Sequence, residues 1–156
     1  MKHLFTIILA VTFSLLAHAD SSSATFNQAG FSINTFDAKA SNAGSQPLTM
    51  MLPASNGFSA NVNVQIQPFP GSLNDYKNLS EAQFVQMGLK TISSSENGNE
   101  LYWEYAGNIQ GKNMHFFAKA IKVGNLFYLA TGTDLESNWP KTSKKIKSVI
   151  TSFVTQ

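Results

Sequence analysis

The chain is 156 residues long, with a formal net charge of +2, no cysteine, and only 13 % charged side chains against a usual ~25 %. Its eleven basic residues are all lysine, so the bidentate fork suited to phosphate is missing and the near-neutral balance argues against a nucleic-acid partner. Without cysteine, disulfides, thiolate catalysis and Cys-ligated zinc are excluded.

Met1-Lys2-His3 is a short positive start, Leu4 to Leu16 is an apolar run, and Ala17-His18-Ala19 is a small-x-small cleavage signature. These parts make a secretory signal peptide over residues 1–19, cleaved after Ala19. The apolar run is shorter than the ~20 residues a membrane span needs. No cysteine near the site can take a lipid. The expected mature chain is one domain over 20–156, periplasmic or secreted, with no stable membrane insertion. It keeps ten lysines, nine acids and one histidine, His115. One histidine builds no multi-histidine zinc site, so neither metal nor cofactor is expected.

Ala24 to Phe36 holds two short β-like pieces around Gly30, and Asp37 to Pro47 has the composition of a loop. Leu48 to Leu52 reads as a strand closed by Pro53. Asn61 to Gln67 alternates cleanly: Val62, Val64 and Ile66 face the core, and Asn61, Asn63, Gln65 and Gln67 face away as a solvated amide row. Pro68-Phe69-Pro70-Gly71 ends it. Leu73 to Lys77 suggests one turn of helix. A second helical piece is expected from a capping box of Ser80 and Gln83, with Leu79, Phe84 and Met87 as its apolar stripe and Gly88 as its stop.

Leu89 to Ser95 returns as a strand or extended link, and Glu96-Asn97-Gly98-Asn99 is a hairpin turn. Residues 99–131 then read as three strands. In the first, Leu101, Trp103 and Tyr105 point one way while Glu100, Tyr102 and Glu104 point the other. A turn over Asn108 to Lys112, with Gly107 and Gly111 free to take positive φ, leads to the second strand. Val123-Gly124-Asn125 leads to the third. The later strands are apolar on both faces, with Met114, Phe116, Ala118 and Ala120 on one and Phe117 and Ile121 on the other, so each face needs a cover. The last element is an amphipathic helix over Trp139 to Val154, capped by Asn138 with Pro140 in its first turn. Trp139, Ile146, Val149, Ile150, Phe153 and Val154 form its apolar stripe, and Lys141, Lys144, Lys145 and Lys147 its solvated face.

The order of these elements resembles the PsbP-like superfamily, which includes the photosystem II extrinsic subunit, a Ran-binding import factor and bacterial periplasmic members. The residues that carry the likeness are Asn61-Val62-Asn63-Val64, Leu73-Asn74-Asp75-Tyr76, Glu104-Tyr105-Ala106-Gly107, Phe127-Tyr128-Leu129-Ala130-Thr131 and Ile150-Thr151-Ser152-Phe153. The resemblance implies an α+β fold, a central antiparallel sheet covered by helices on both faces in an α/β/α sandwich. It also implies a non-catalytic role in binding or stabilising other proteins. The expected function is an exported protein-binding module, an assembly or stability factor or a toxin-neutralising immunity-type protein. The alternative is a carrier of a small lipid or metabolite in a cavity between sheet and helix.

No catalytic constellation is read from the residues. His115 is taken as a hydrogen-bonded structural residue. Glu100 and Glu104, ~13 Å apart along one strand face, are taken as surface charge. Phe69, Tyr76 and Trp139 are the candidate binding residues, because aromatic side chains dominate interface hot spots. Trp103, in phase with Leu101 and Tyr105, is assigned to the core.

Overall fold

The computed structural model describes residues 23–26, 30–34 and 44–155. The signal peptide expected over 1–19 and most of the loop expected over 37–47 lie outside the described residues. Two compact units divide the chain between Asp37 and Ala38. In the first, β1 (Ser23–Phe26) and β2 (Phe31–Asn34) pair antiparallel around Gly30, as their composition predicts.

The second unit is an α+β fold, a six-stranded antiparallel sheet with two helices. Its elements are β3 (Ser45–Met51), β4 (Asn61–Pro68), α1 (Leu73–Gln86), β5 (Leu89–Asn97), β6 (Glu100–Ile109), β7 (Lys112–Val123), β8 (Leu126–Leu135) and α2 (Trp139–Thr151). The strand order is β3-β4-β8-β7-β6-β5, so β5 to β8 form a meander and β4 joins it at β8. The hairpin turns are tighter than the sequence suggests. Between β6 and β7 only Gln110 and Gly111 remain unpaired, both at positive φ (50° and 80°), while Gly107 lies inside the ladder opposite Met114.

Strand β3 starts at Ser45, three residues earlier than the Leu48 start expected, and takes Pro47 into the sheet. An edge strand with a register shift between Ser45 and Leu48 can tolerate a residue that has no N–H. Helix α1 is one helix rather than two pieces. Its capping box sits at Ser72, whose hydroxyl accepts the Asp75 N–H at 3.1 Å while Asp75 Oδ2 accepts the Ser72 N–H at 2.9 Å. Ser80, expected to be the cap, instead donates to the Tyr76 carbonyl within the helix at 2.8 Å. The stripe shifts accordingly: Tyr76 and Phe84, eight residues apart, are buried, whereas Leu79 and Met87 are 45 % and 52 % exposed.

Leu101, Trp103 and Tyr105 are buried in the phase the alternation predicts, and they pack with Tyr76 and Phe84 of α1 and with Ala118, Ala120 and Phe127. Phe84 stacks on Tyr105 at 4.1 Å, and Tyr76 stacks on Phe127 at 3.7 Å. A second cluster joins Trp139, Ile146 and Ile150 of α2 to Val62, Val64 and Ala130, with Phe117 at its margin. Helix α2 ends at Thr151, so Val154 is outside it and 72 % exposed rather than part of the stripe. Asn138 precedes α2 but makes no side-chain cap bond. Its amide side chain reaches the Ser55 carbonyl at 3.4 Å and Asp134 Oδ1 at 3.5 Å, and accepts from Asn56 Nδ2 at 2.8 Å.

Candidate functional site

Three features of the second unit bear on function: a cavity beneath α1, a polar cluster against α2, and an uncovered corner where α1 meets β5. The cavity lies on the face of β6 that carries Trp103 and Tyr105. It has a volume of about 330 Å³, and its walls include Phe69, Tyr76, Phe84, Trp103, Tyr105 and Leu129. Most polar groups around it are committed. The Tyr76 hydroxyl donates to Gln67 Oε1 at 2.6 Å, Gln67 Nε2 donates to Gln65 Oε1 at 3.0 Å, and Trp103 Nε1 donates to Glu81 Oε1 at 3.1 Å. Burial pushes the Tyr76 phenol up to about 12, with the Ser80 hydroxyl opposing it. Burial also raises Tyr105, reinforced by Tyr76.

Against α2 the charges are paired. Glu104 Oε1 lies 2.9 Å from His115 Nε2 and accepts Trp139 Nε1 at 3.2 Å, while Glu104 Oε2 accepts Lys147 Nζ at 2.8 Å. The other histidine nitrogen, Nδ1, lies 2.7 Å from Glu136 Oε2, and the ring stacks on Trp139 at 4.1 Å. Burial works to raise the Glu104 carboxyl, but Lys147, His115 and Trp139 outweigh it and hold it below the usual carboxylate range. Further along β6, Glu100 accepts from Lys119 at 2.8 Å and from the Tyr102 hydroxyl at 2.6 Å, which lowers its carboxyl as well. Burial disfavours the Lys119 ammonium, yet Glu100 and Tyr102 raise it on balance. Glu100 and Glu104, expected as surface charge, therefore anchor half-buried ion pairs (22 % and 17 % side-chain exposure) because β7 and α2 bring cations to them. With three donors on its two oxygens, Glu104 ties β6, β7 and α2 together. Among the described residues no group of three or more His, Cys, Asp or Glu is placed to hold a metal.

The predicted binding residues separate. Phe69 is half-buried, edge-on to Tyr76 and Phe127 at 5.4 and 5.8 Å, so Phe69 and Tyr76 meet at the cavity. Trp139 belongs to the other cluster, buried on His115. Of the amide row, Gln67 lies under Tyr76 and all four members are half-buried rather than solvated. Lys141, Lys144 and Lys145 are exposed on α2, but Lys147 is drawn in to Glu104. Sequence reasoning misses Asp134, 1 % exposed, which accepts the Thr142 hydroxyl at 2.7 Å near the start of α2. It also misses Lys119, 3 % exposed, in a strand whose other residues read as apolar.

At the α1–β5 corner, Val85 is 74 %, Met87 52 % and Ile92 56 % exposed, within eight residues of one another across a short connection. Strand β5 is an edge of the sheet, paired only with β6 among the described strands.

No protein-family model matches the chain, and no curated protein matches it. Among solved structures it is similar to PA94 of Pseudomonas aeruginosa, a protein of unknown function suggested as a regulator. That likeness has TM-score 0.61 and 16 % identity over 87 % of this chain and 97 % of that one. At this identity it is a likeness of fold. More distant are cyanobacterial PsbP from Synechocystis sp. PCC 6803 and LpqN of Mycobacterium tuberculosis, the latter involved in cell envelope biogenesis. PsbP has TM-score 0.46 and 14 % identity over 94 % of this chain and 98 % of that one. LpqN has TM-score 0.42 and 15 % identity over 73 % and 83 %.

Proposed function

We propose that this chain is an exported, non-catalytic protein-binding module, an α/β/α sandwich that receives its partner at the α1–β5 corner. The observation that carries the reading is the exposure of Val85, Met87 and Ile92 beside an edge strand with no second neighbour among the described residues. Exposed apolar side chains at the end of α1 and on the edge strand offer apolar contacts, and an unpaired edge offers main-chain hydrogen bonds to an extended partner. The sandwich is supported by alternation. Odd-numbered β6 residues meet Tyr76 and Phe84 of α1, while Glu104 meets Trp139 and Lys147 of α2. Export rests on the residue 1–19 signal pattern, with no membrane-crossing helix among the described residues. The partner is an assembly client or a toxin.

Capture from native extract tests this. Wild-type protein should retain a discrete partner that Val85→Lys/Ile92→Lys loses while its unfolding midpoint stays unchanged. Equal retention by both would remove the corner from the account. A mature mass that starts elsewhere than Asp20 would remove the cleavage site.

A second reading, a small-ligand carrier, is favoured by the cavity. A space of about 330 Å³ beneath α1 falls at the lower end of ligand-pocket sizes.

A further inference from the structure

The Tyr105 side chain is the unusual part of that cavity. It is 7 % exposed, and both ring faces are covered, by Phe84 at 4.1 Å and Phe116 at 4.8 Å. What it can present to the cavity is therefore its edge and hydroxyl. Among the described residues that hydroxyl has no hydrogen-bond partner, whereas the neighbouring Tyr76, Gln67, Ser80 and Trp103 groups each have one. The hydroxyl is not sealed off, since among the described residues no fully buried side-chain oxygen or nitrogen lacks a partner; it opens on the cavity, where a guest can bond to it.

We propose that the cavity binds a small, neutral aromatic molecule of one or two rings whose polar substituent hydrogen-bonds to the Tyr105 hydroxyl. The inference rests on the carrier reading and narrows it. Neutrality follows from the walls: no lining residue is charged. The raised phenols of Tyr76 and Tyr105 report a surrounding that penalises charge. Size follows from volume. About 330 Å³ is roughly eleven waters' worth of liquid at ~30 Å³ each, room for one or two fused rings. Aromatic character follows from Phe69, Tyr76, Phe84, Trp103 and Tyr105, whose rings pair edge-to-face or offset with a planar guest. A polyol of the same size would bring several hydroxyls to a mostly aromatic wall with one uncommitted phenol, so a sugar is disfavoured. Gln83, exposed at the rim, adds a second polar contact at the mouth.

Calorimetric titration of the mature protein with three matched probes tests this: 2-naphthol, anionic 2-naphthoate, and the saturated decahydro-2-naphthol. 2-Naphthol should bind, with each counterpart at least tenfold weaker. Tyr105→Phe should weaken 2-naphthol about fivefold, the worth of one ordinary hydrogen bond. That variant removes a group with no protein partner, so its unfolding midpoint should hold. Ser80→Phe, which fills the cavity from α1, should abolish binding. Equal or tighter binding of 2-naphthoate or decahydro-2-naphthol would overturn the ligand class and leave the carrier reading standing. No binding of any probe would overturn both. Binding of 2-naphthol that neither variant disturbs would place it elsewhere and overturn the assignment to Tyr105.

Discussion

Trp103 shows what alternation can carry at the scale of one residue. Its phase with Leu101 and Tyr105 predicts burial, and it is 1 % exposed, edge-on to Phe84 at 6.0 Å. Trp103→Ala should therefore cost ~3–5 kcal/mol in chemical denaturation, and a loss under ~1 kcal/mol would contradict its place in the core. Glu104 shows what alternation cannot carry. Its position on the opposite face was legible, but its partners come from 11, 35 and 43 residues away, and no local pattern announces such distances. Its carboxyl and that of Glu100 are held below their usual range in the folded chain. Their stabilising contribution is thus present above the unfolded value near pH ~4.3 and is lost as pH falls through the lower folded values. Stability measured by urea titration should decline in that acid window. Glu104→Gln should flatten the decline and lose ~1–3 kcal/mol at neutral pH, because Lys147 and His115 lose their carboxylate. An unchanged acid profile would exclude Glu104 as a contributor.

At the scale of elements, strands were more legible than helices. The apolar–polar repeat of β4 and β6 is long enough to set its own phase, and Gly98, Gly111 and Gly124 mark the meander turns. Helix α1 misleads because Ser72 with Asp75 and Ser80 with Gln83 both resemble a capping box. The first is the one that closes, on Ser72, and Tyr76 just behind it stacks on Phe127. The approach of α2 to β8 was not legible either, because its determinant is the lack of a side chain. A Cβ at Gly132 would fall on Ile146 Cγ2 and lie 3.6 Å from Ile150 Cγ1. Gly132→Ala should accordingly destabilise by ~1–3 kcal/mol through displacement of α2. A neutral result in thermal unfolding would mean that the helix rides further from the sheet.

At the scale of the whole molecule, one antiparallel sheet holds an apolar, aromatic cluster at α1 and a charge-paired cluster at α2. The fold class was legible because strand spacing and amphipathic periods are local. The cavity and the α1–β5 corner were not, because each depends on which side chains a neighbour leaves uncovered. Partner binding is proposed at that corner, and site-specific photocrosslinking in the native compartment tests it most directly. Ile92→p-benzoylphenylalanine should give one discrete adduct on irradiation, and the same replacement at exposed Lys144 on α2 should give none. An adduct from Lys144 but not Ile92, or none from either position, would contradict the proposed binding surface.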